Sequence, residues 1–202
     1  MSENKKRITV AVGYGWQKFE EEDFLSEDMS LSKKMVAKGY EVLHDQFWKS
    51  IKEKFITKLG GISKTQNAEI SFTRLRASHG KLVWQSILEK IKQADILIFD
   101  IAQPPQMKAI PESEVDIKDI IRGFNSNVLV EIGVALGLDK RVVLMCPSHL
   151  FDDVPSDLKG YLWTTYTGKI SREKFVRTFC DERGIQNAFM SMLREAIREK
   201  YE

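Results

Sequence analysis

Short apolar runs alternate along the chain with longer segments in which apolar residues recur every three or four positions. The runs predict buried strands and the longer segments predict amphipathic helices. The predicted strands are 8–12, 40–44, 68–73, 94–101 and 141–146, with a later edge strand at 161–166, and the predicted helices are 25–38, 46–59, 81–93 and 125–137. Alternation of this kind favours an open, doubly wound α/β fold with a mainly parallel five-stranded sheet and right-handed crossovers.

The domain organisation follows from the same pattern. At 202 residues the chain is long enough for one good core. We expect one α/β domain over 1–168 and a C-terminal helical extension over 169–202, packed on the same domain. Apolar positions in 171–202 predict one or two amphipathic helices broken near Gly184. The proline-containing segment 102–123 is predicted to be long and irregular, with room for a short helix at 114–121.

Composition argues against several classes of partner. The formal net charge of +2 gives no electrostatic case for nucleic acid or an anionic membrane. No apolar run approaches the roughly 20 residues that a membrane helix needs, and the polar start is unlike a signal peptide. Cys146 falls in a buried strand as a reduced thiol, and the three histidines are far apart, so we expect no metal site. The protein is therefore expected to be cytoplasmic.

Three features are expected to meet at the carboxyl edge of the sheet, where open parallel sheets bind ligands. The Gly13-Tyr14-Gly15 turn follows the first strand, and Asp100 ends the 94–101 strand. The third feature is the start of the helix that bears Asn127 and Glu131. These residues are the candidate site, with Glu131 as the catalytic group and Gly13, Tyr14, Gly15, Asp100 and Asn127 as substrate-binding residues.

Glu131 is the most informative of these candidates. Between Phe124 and Leu138 it is the only ionisable side chain, in a helix apolar enough to be buried nearly all round. Burying a carboxylate costs on the order of several kcal/mol unless it is paired or its pKa rises. Asn127 lies four residues earlier, which places it on the same helix face.

Structural explanations remain open at each position. Glu131 could be a first-turn acid satisfied by backbone amides, or it could pair with Arg74 or Arg76. The glycines could serve only a tight turn, since a lone GxG is far short of a dinucleotide fingerprint. Asp100 could cap the turn that follows it, and Tyr14 could simply pack.

The string Asn127-Val-x-x-Glu131-x-Gly133-x-Ala135, which follows Ala94-Asp-Ile-Leu-Ile-Phe-Asp100 and precedes Lys140-Arg-Val-Val-Leu-Met, resembles a known pattern. It is similar to the TIR-like nucleotide-binding proteins and the nucleoside 2-deoxyribosyltransferase-like proteins. The resemblance implies a flavodoxin-like or TIR-like sheet in which Glu131 attacks or stabilises the anomeric carbon during N-glycosidic cleavage. It further implies that Asn127 or Asp100 holds the ribose hydroxyls, with the base against Tyr14 or Trp16.

The resemblance also sets the expected ligands and partners. It implies NAD or a nucleoside or nucleotide as the small-molecule substrate, no separate cofactor, and a homo-oligomer; several relatives act in antiphage defence. The segment 102–123 is longer than in many relatives and could be a lid or a partner surface. Besides an N-glycosidic hydrolase or transferase, the sequence leaves open a non-catalytic nucleotide sensor and a structural subunit.

Overall fold

The computed structural model describes residues 6–15, 68–75, 83–105, 109–171 and 175–202, apart from the side chains of Glu182 and Ile185. Over these ranges the protein is an α/β fold built on one mixed, mainly parallel sheet. The strands are β1 (Lys6–Tyr14), β2 (Ala68–Arg74), β3 (Ile96–Asp100), β4 (Val115–Asp116), β5 (Arg141–Pro147), β6 (Leu162–Ile170) and β7 (Phe175–Phe179). The helices are α1 (Val83–Gln93), α2 (Ile117–Ile120), α3 (Ser126–Gly137) and α4 (Glu182–Tyr201), and 3-10 turns occupy Ser148–Asp153 and Ser156–Leu158.

Five parallel strands form the centre of the sheet in the order β2-β1-β3-β5-β6. The chain therefore passes from β1 to β2 on one side and later returns to β3 on the other. Strands buried on both faces are typically near-continuous apolar runs, and Ile96-Leu-Ile-Phe in β3 is one. This order places the topological switch point of the sheet between β1 and β3 at their carboxyl ends, because the connections leave these two strands in opposite directions.

Two further strands pair antiparallel with the carboxyl-terminal half of β6. Ile170 is opposite Val115 of β4 and Phe175 of β7, so β4 and β7 lie on opposite edges of β6. Residues 166 and 147 pair where β5 ends, and β6 continues beyond that point between β4 and β7. The described sheet thus has seven strands instead of the expected five, and β6 is internal rather than an edge strand.

Helices cover both faces, as the strand–helix alternation predicted. On one face, α1 and α3 pack through Ile87, Ile91, Val128, Ile132 and Ala135 against the odd-numbered positions of β3. On the other face, α4 packs against β1, β3 and β6, and its contributing side chains are Phe189, Leu193, Ala196 and Ile197. Alternation along β3 decides which side chains meet which helices: Leu97 and Phe99 face α3, whereas Ile96 and Ile98 face α4.

The sequence predicted most of the described elements and missed the two antiparallel strands, β4 and β7. The strands at 8–12, 68–73, 94–101 and 141–146 and the helices at 81–93 and 125–137 are confirmed by β1, β2, β3, β5, α1 and α3. The all-helical C-terminal extension was wrong, because 175–179 forms β7 and a single helix follows that contains Gly184. The predicted elements at 25–38, 40–44 and 46–59 lie outside the described residues.

Two details of burial also differ from expectation. Trp84 in α1 is a large apolar residue, yet it is 44% exposed, whereas Ile87 and Ile91 of the same helix are buried. Helix α3 is not buried all round, since Val130 on its outer face is 56% exposed. The buried face of α3 nevertheless includes Glu131, the residue on which the functional argument depends.

The segment 102–123 is tied into the fold, apart from residues 106–108, which lie outside the described ranges. It contains β4 and α2, so the short helix expected at 114–121 is present. Ile110, Ile117 and Ile121 are buried in the core, and Nε2 of His149 lies 2.7 Å from the carbonyl oxygen of Ile121. At its base, Gln103 donates its backbone N–H to Gly123 at 2.8 Å. The segment therefore contributes to the core as well as to the surface.

Among the described helices, none combines the length and the apolar character required to cross a membrane.

Candidate functional site

Glu131 occupies the sixth position of α3, on the helix face that packs on the sheet. Its residue exposure is 5%, and its Oε2 atom is buried without a hydrogen-bond partner among the described residues. Burial raises the pKa of Glu131 from 4.5 to about 7, and no charged neighbour contributes to that shift. A buried polar atom with no partner is uncommon in folded proteins and marks a candidate functional group.

The structural explanation of Glu131 as a first-turn acid is contradicted by its position. Helix α3 begins at Ser126, after the N-cap Asn125, and its first turn holds no acidic residue. The free amides of the first turn are taken by Asn125, whose Oδ1 accepts from the backbone N–H groups of Asn127 and Val128 at 3.1 and 3.2 Å. Among the described residues no arginine pairs with Glu131, while Arg76 lies outside them.

The two glycines of the β1 turn lie directly against α3. A Cβ on Gly13 would be 2.5 Å from Cδ1 of Phe99 and 3.0 Å from Oε2 of Glu131. A Cβ on Gly15 would be 2.5 Å from Cδ of Pro104 and 2.6 Å from Nδ2 of Asn125. Both positions thus need glycine because protein atoms fill the space that a side chain would take. The turn brings the end of β1 into contact with the Glu131 carboxyl.

Tyr14, between the two glycines, points the other way. It is 5% exposed and belongs to the core on the α4 side of the sheet, as strand alternation requires. The structure therefore places its ring on the face opposite Glu131. Trp16, the second aromatic residue considered for base stacking, lies outside the described residues.

Asp100 also lies on the α4 side, in the same row of the sheet as Tyr14. Its Oδ1 accepts from the backbone N–H of Ala102 at 2.9 Å, and its Oδ2 accepts from the Tyr166 hydroxyl at 2.8 Å. The guanidinium of Arg177, which is fully buried, lies 2.9 Å from the same Oδ2. Burial raises the pKa of Asp100, while Arg177 and the two hydrogen bonds lower it again. Asp100 is thus engaged by three groups of the protein itself.

Asn127 does not accompany Glu131 in the way its spacing suggested. Its side chain is exposed, whereas Glu131 is buried, and in the described part of the chain no hydrogen bond joins the two. The six candidates therefore divide into two groups. Gly13, Gly15 and Glu131 come together on the α3 face, while Tyr14 and Asp100 lie on the opposite face and Asn127 faces solvent.

Sequence reasoning overlooked two sets of residues. Asn125 was treated only as the place where α3 starts, although asparagine before an apolar helix is itself a helix-capping pattern. Tyr166 and Arg177 were missed because they are 66 and 77 residues away from Asp100 in the chain. No local pattern could have linked them, since the link depends on the pairing of β6 with β7.

No family model matches the chain, and no curated protein matches it significantly. The case for a function therefore depends on the geometry. Among the described residues, the buried carboxyl group of Glu131, whose Oε2 has no hydrogen-bond partner, lies beside the carboxyl ends of β1 and β3. That is the position at which doubly wound sheets bind their ligands. A carboxyl group of raised pKa there can accept or donate a proton, or stabilise a developing positive charge.

Proposed function

We propose that the protein is an N-glycosidic hydrolase or transferase acting on NAD or on a nucleoside or nucleotide, with Glu131 as its catalytic carboxyl. The observation that carries the proposal is the buried Oε2 atom of Glu131, which lies near Gly13 and has no hydrogen-bond partner in the described ranges. The order β2-β1-β3-β5-β6 of the parallel strands supports a flavodoxin-like or TIR-like architecture, in which ligands bind at this edge. The resemblance of the α3 sequence to TIR-like and deoxyribosyltransferase-like proteins supplies the reaction class.

The proposed reaction breaks the bond between the anomeric carbon and the base nitrogen. The bonding electron pair leaves with the base, and positive charge develops on the sugar as an oxocarbenium-like state. The Glu131 carboxylate stabilises this charge or forms a C–O bond to the anomeric carbon. Water then gives the free sugar product, with its proton passing to the carboxylate or solvent, or a second base nitrogen gives the transferase product.

The raised pKa of Glu131 defines a pH dependence. Only the ionised carboxylate can stabilise or capture the ribosyl cation. With a pKa of about 7, the ionised fraction rises from a minority at pH 6 to a majority at pH 8. If Glu131 has this role, the rate constant for base release increases with pH through that range.

Base release tests the proposal directly. The protein is incubated with NAD and with common nucleosides and their monophosphates, and free base is followed by chromatography. We expect Glu131→Gln to lose at least about a hundredfold in rate, a typical loss for one electrostatic group. Asp139→Asn is the matched control, because it makes the same carboxyl-to-amide change just beyond the end of α3. Asp139 has a φ of 53°, which asparagine also tolerates. Undiminished release by Glu131→Gln would refute the assigned role.

One observation favours a second candidate, a nucleotide-binding sensor without turnover. Glycosidases that use carboxyl groups usually carry two of them at the reaction centre. Here Asp100 is locked to Arg177 and Tyr166 on the other face, so within the described ranges Glu131 is alone. A sensor predicts that a nucleotide raises the melting temperature while no base is released. Base release that depends on Glu131 would exclude the hypothesis of a sensor without turnover.

A further inference from the structure

Asn125 connects three segments at the start of α3. It is 5% exposed, its Oδ1 caps the helix, and its backbone N–H donates to the carbonyl oxygen of Ile101 at 2.8 Å. Its Nδ2 donates to Oε1 of Gln103 at 3.0 Å, in the loop that leaves β3. The same Nδ2 lies against Gly15, at the end of β1. An N-cap alone would need only the Oδ1 acceptor.

The Glu131 carboxyl has no comparable anchor of its own. Within the described part of the chain, its Oε2 atom has no hydrogen-bond partner that would fix its place. Its position is set by the backbone of α3, which it joins about 9 Å further along the axis than Asn125. Gly13 lies in β1 and Gly15 directly follows the strand, and a Cβ on these glycines would meet Glu131 and Asn125 respectively. These two contacts fix where α3 lies along β1.

We propose that Asn125 is the positioning residue that keeps the Glu131 carboxyl buried beside Gly13 and away from water. It does so through its hydrogen bond to Gln103 and its contact with Gly15. The inference deepens the proposed function and rests on it for its catalytic meaning. Its structural content can be tested without a substrate, because the position of the carboxyl controls its titration.

The surroundings of Glu131 make that titration easy to interpret. Towards α3, β1 presents Ala11 and Gly13, and β3 presents Leu97 and Phe99, none of which titrates. The buried face of α1 contributes Ile87 and Ile91. From β5, Cys146 is the titratable group on this face, and burial together with Asp100 raises the pKa of its thiol to about 12. Within the described residues, a change in the Glu131 midpoint therefore reports hydration of the carboxyl.

The experiment measures the Glu131 carboxyl by carbon-13 NMR across pH 4–9, with Glu131→Gln used to assign its signal. Asn125→Ser keeps a good N-cap acceptor but removes the Nδ2 donor, and Gln103→Leu removes the acceptor while leaving the cap intact. We expect both variants to lower the midpoint by about one unit towards that of a hydrated glutamate. We expect the double variant to go no lower than the larger single effect, because both changes break one link.

Asp181→Ala is the matched control for the loss of a helix cap. Asp181 is the N-cap of α4, on the opposite face of the sheet, and its side chain accepts from the backbone N–H of Gly184. This variant should lose stability while the Glu131 midpoint stays at its parent value. If either Asn125→Ser or Gln103→Leu also keeps the parent midpoint, the proposed link is wrong. Should Asn125→Ser fail to fold, Gln103→Leu decides the question alone.

An activity measurement separates this inference from the proposed function. Where the parent protein releases base, Asn125→Ser should lower kcat roughly tenfold with little change in KM, because it misplaces the reacting carboxyl and leaves substrate contacts intact. A parent protein that releases no base would contradict the proposed function, whereas the titration would still decide the role of Asn125. An unchanged kcat in an active protein would overturn the positioning role.

Discussion

The buried ion pair between Asp100 and Arg177 gives the sharpest prediction for stability. The Arg177 side chain is fully buried, and its guanidinium lies between the rings of Tyr166 and Phe175, 4.4 and 4.5 Å from their centroids. It joins the end of β3 to β7, across β5 and β6. Replacing it with methionine leaves the Asp100 carboxylate buried without its counter-charge. Removing one partner from a buried ion pair typically costs about 3–5 kcal/mol in the free energy of unfolding.

The sign of the pH dependence follows from the Asp100 carboxyl. Its pKa in the folded protein already lies above the ordinary value, and losing Arg177 removes the largest influence that lowers it. A folded-state pKa above the unfolded value favours the protonated form on folding. The stability gained in this way is complete below about pH 4 and is lost as the pH rises through the folded-state pKa. The cost of Arg177→Met should therefore grow between pH 4 and pH 7.

The cost of the substitution and its pH dependence are measured by urea unfolding at pH 4 and pH 7. The proteins compared are the parent, Arg177→Met and the double variant Asp100→Asn/Arg177→Met. The double variant carries no charge at positions 100 and 177 and should recover part of the loss at pH 7. Arg141→Met is the matched control, since Arg141 is partly exposed and pairs with Glu195 and Glu199 on α4. Its loss should stay below about 1 kcal/mol. The reasoning fails if Arg177→Met costs as little as the control, or if its cost is the same at both pH values.

Three further predictions concern single positions. Gly13→Ala should cost about 1–3 kcal/mol in a thermal or urea melt, because its Cβ would be 2.5 Å from Phe99, whereas Gly160→Ala, with no neighbouring atom within 4 Å, should cost far less. Glu131→Gln should stabilise the protein at pH 8 by up to about 3 kcal/mol and not at pH 4. The pKa of this carboxyl rises from 4.5 to about 7 on folding, so its ionisation opposes folding at higher pH. Equal unfolding free energies of the variant and the parent at pH 8 would contradict this. Tyr201→Phe should cost about 1 kcal/mol in the free energy of unfolding, because the Tyr201 hydroxyl accepts from the backbone N–H of Arg7 in β1 and donates to its carbonyl oxygen. An unchanged melting temperature would show that this contact does not hold the end of α4.

The sequence could predict the elements whose signals are local. The run Ile96–Phe99 is a buried strand by composition alone, and the start of α3 is marked by a capping asparagine before an apolar stretch. Glu131 stood out for the same reason, because a single ionisable residue in such a helix needs an explanation. The structure confirms that Glu131 is buried, and within the part of the chain that it describes Oε2 has no hydrogen-bond partner.

Strand β7 could not be found as readily, because its inward-facing positions include a charge. Phe175, Arg177 and Phe179 are buried and alternate with exposed Val176 and Thr178, which is a period-two pattern typical of a strand. An arginine at an inward position disguises that pattern unless its partner is known. The partner, Asp100, belongs to another strand 77 residues earlier in the chain. The strand and its ion pair therefore had to be found together, from the topology.

The separation of Asp100 from Glu131 has a different cause. It follows from the alternation of side chains along β3, which can be read from the sequence. Side chains of a strand alternate between faces, so Asp100 shares a face with Ile96 and Ile98. Helix α3 packs on the other face, over Leu97 and Phe99. Two polar residues at one edge of a sheet can therefore belong to different environments, with one locked in an ion pair and the other left unpartnered. A carboxyl group at the end of a strand can contact a residue of a covering helix only when its side chain lies on the sheet face that this helix covers. By that criterion Gly13, not Asp100, is the neighbour of Glu131, and the glycine leaves the space that the carboxyl occupies.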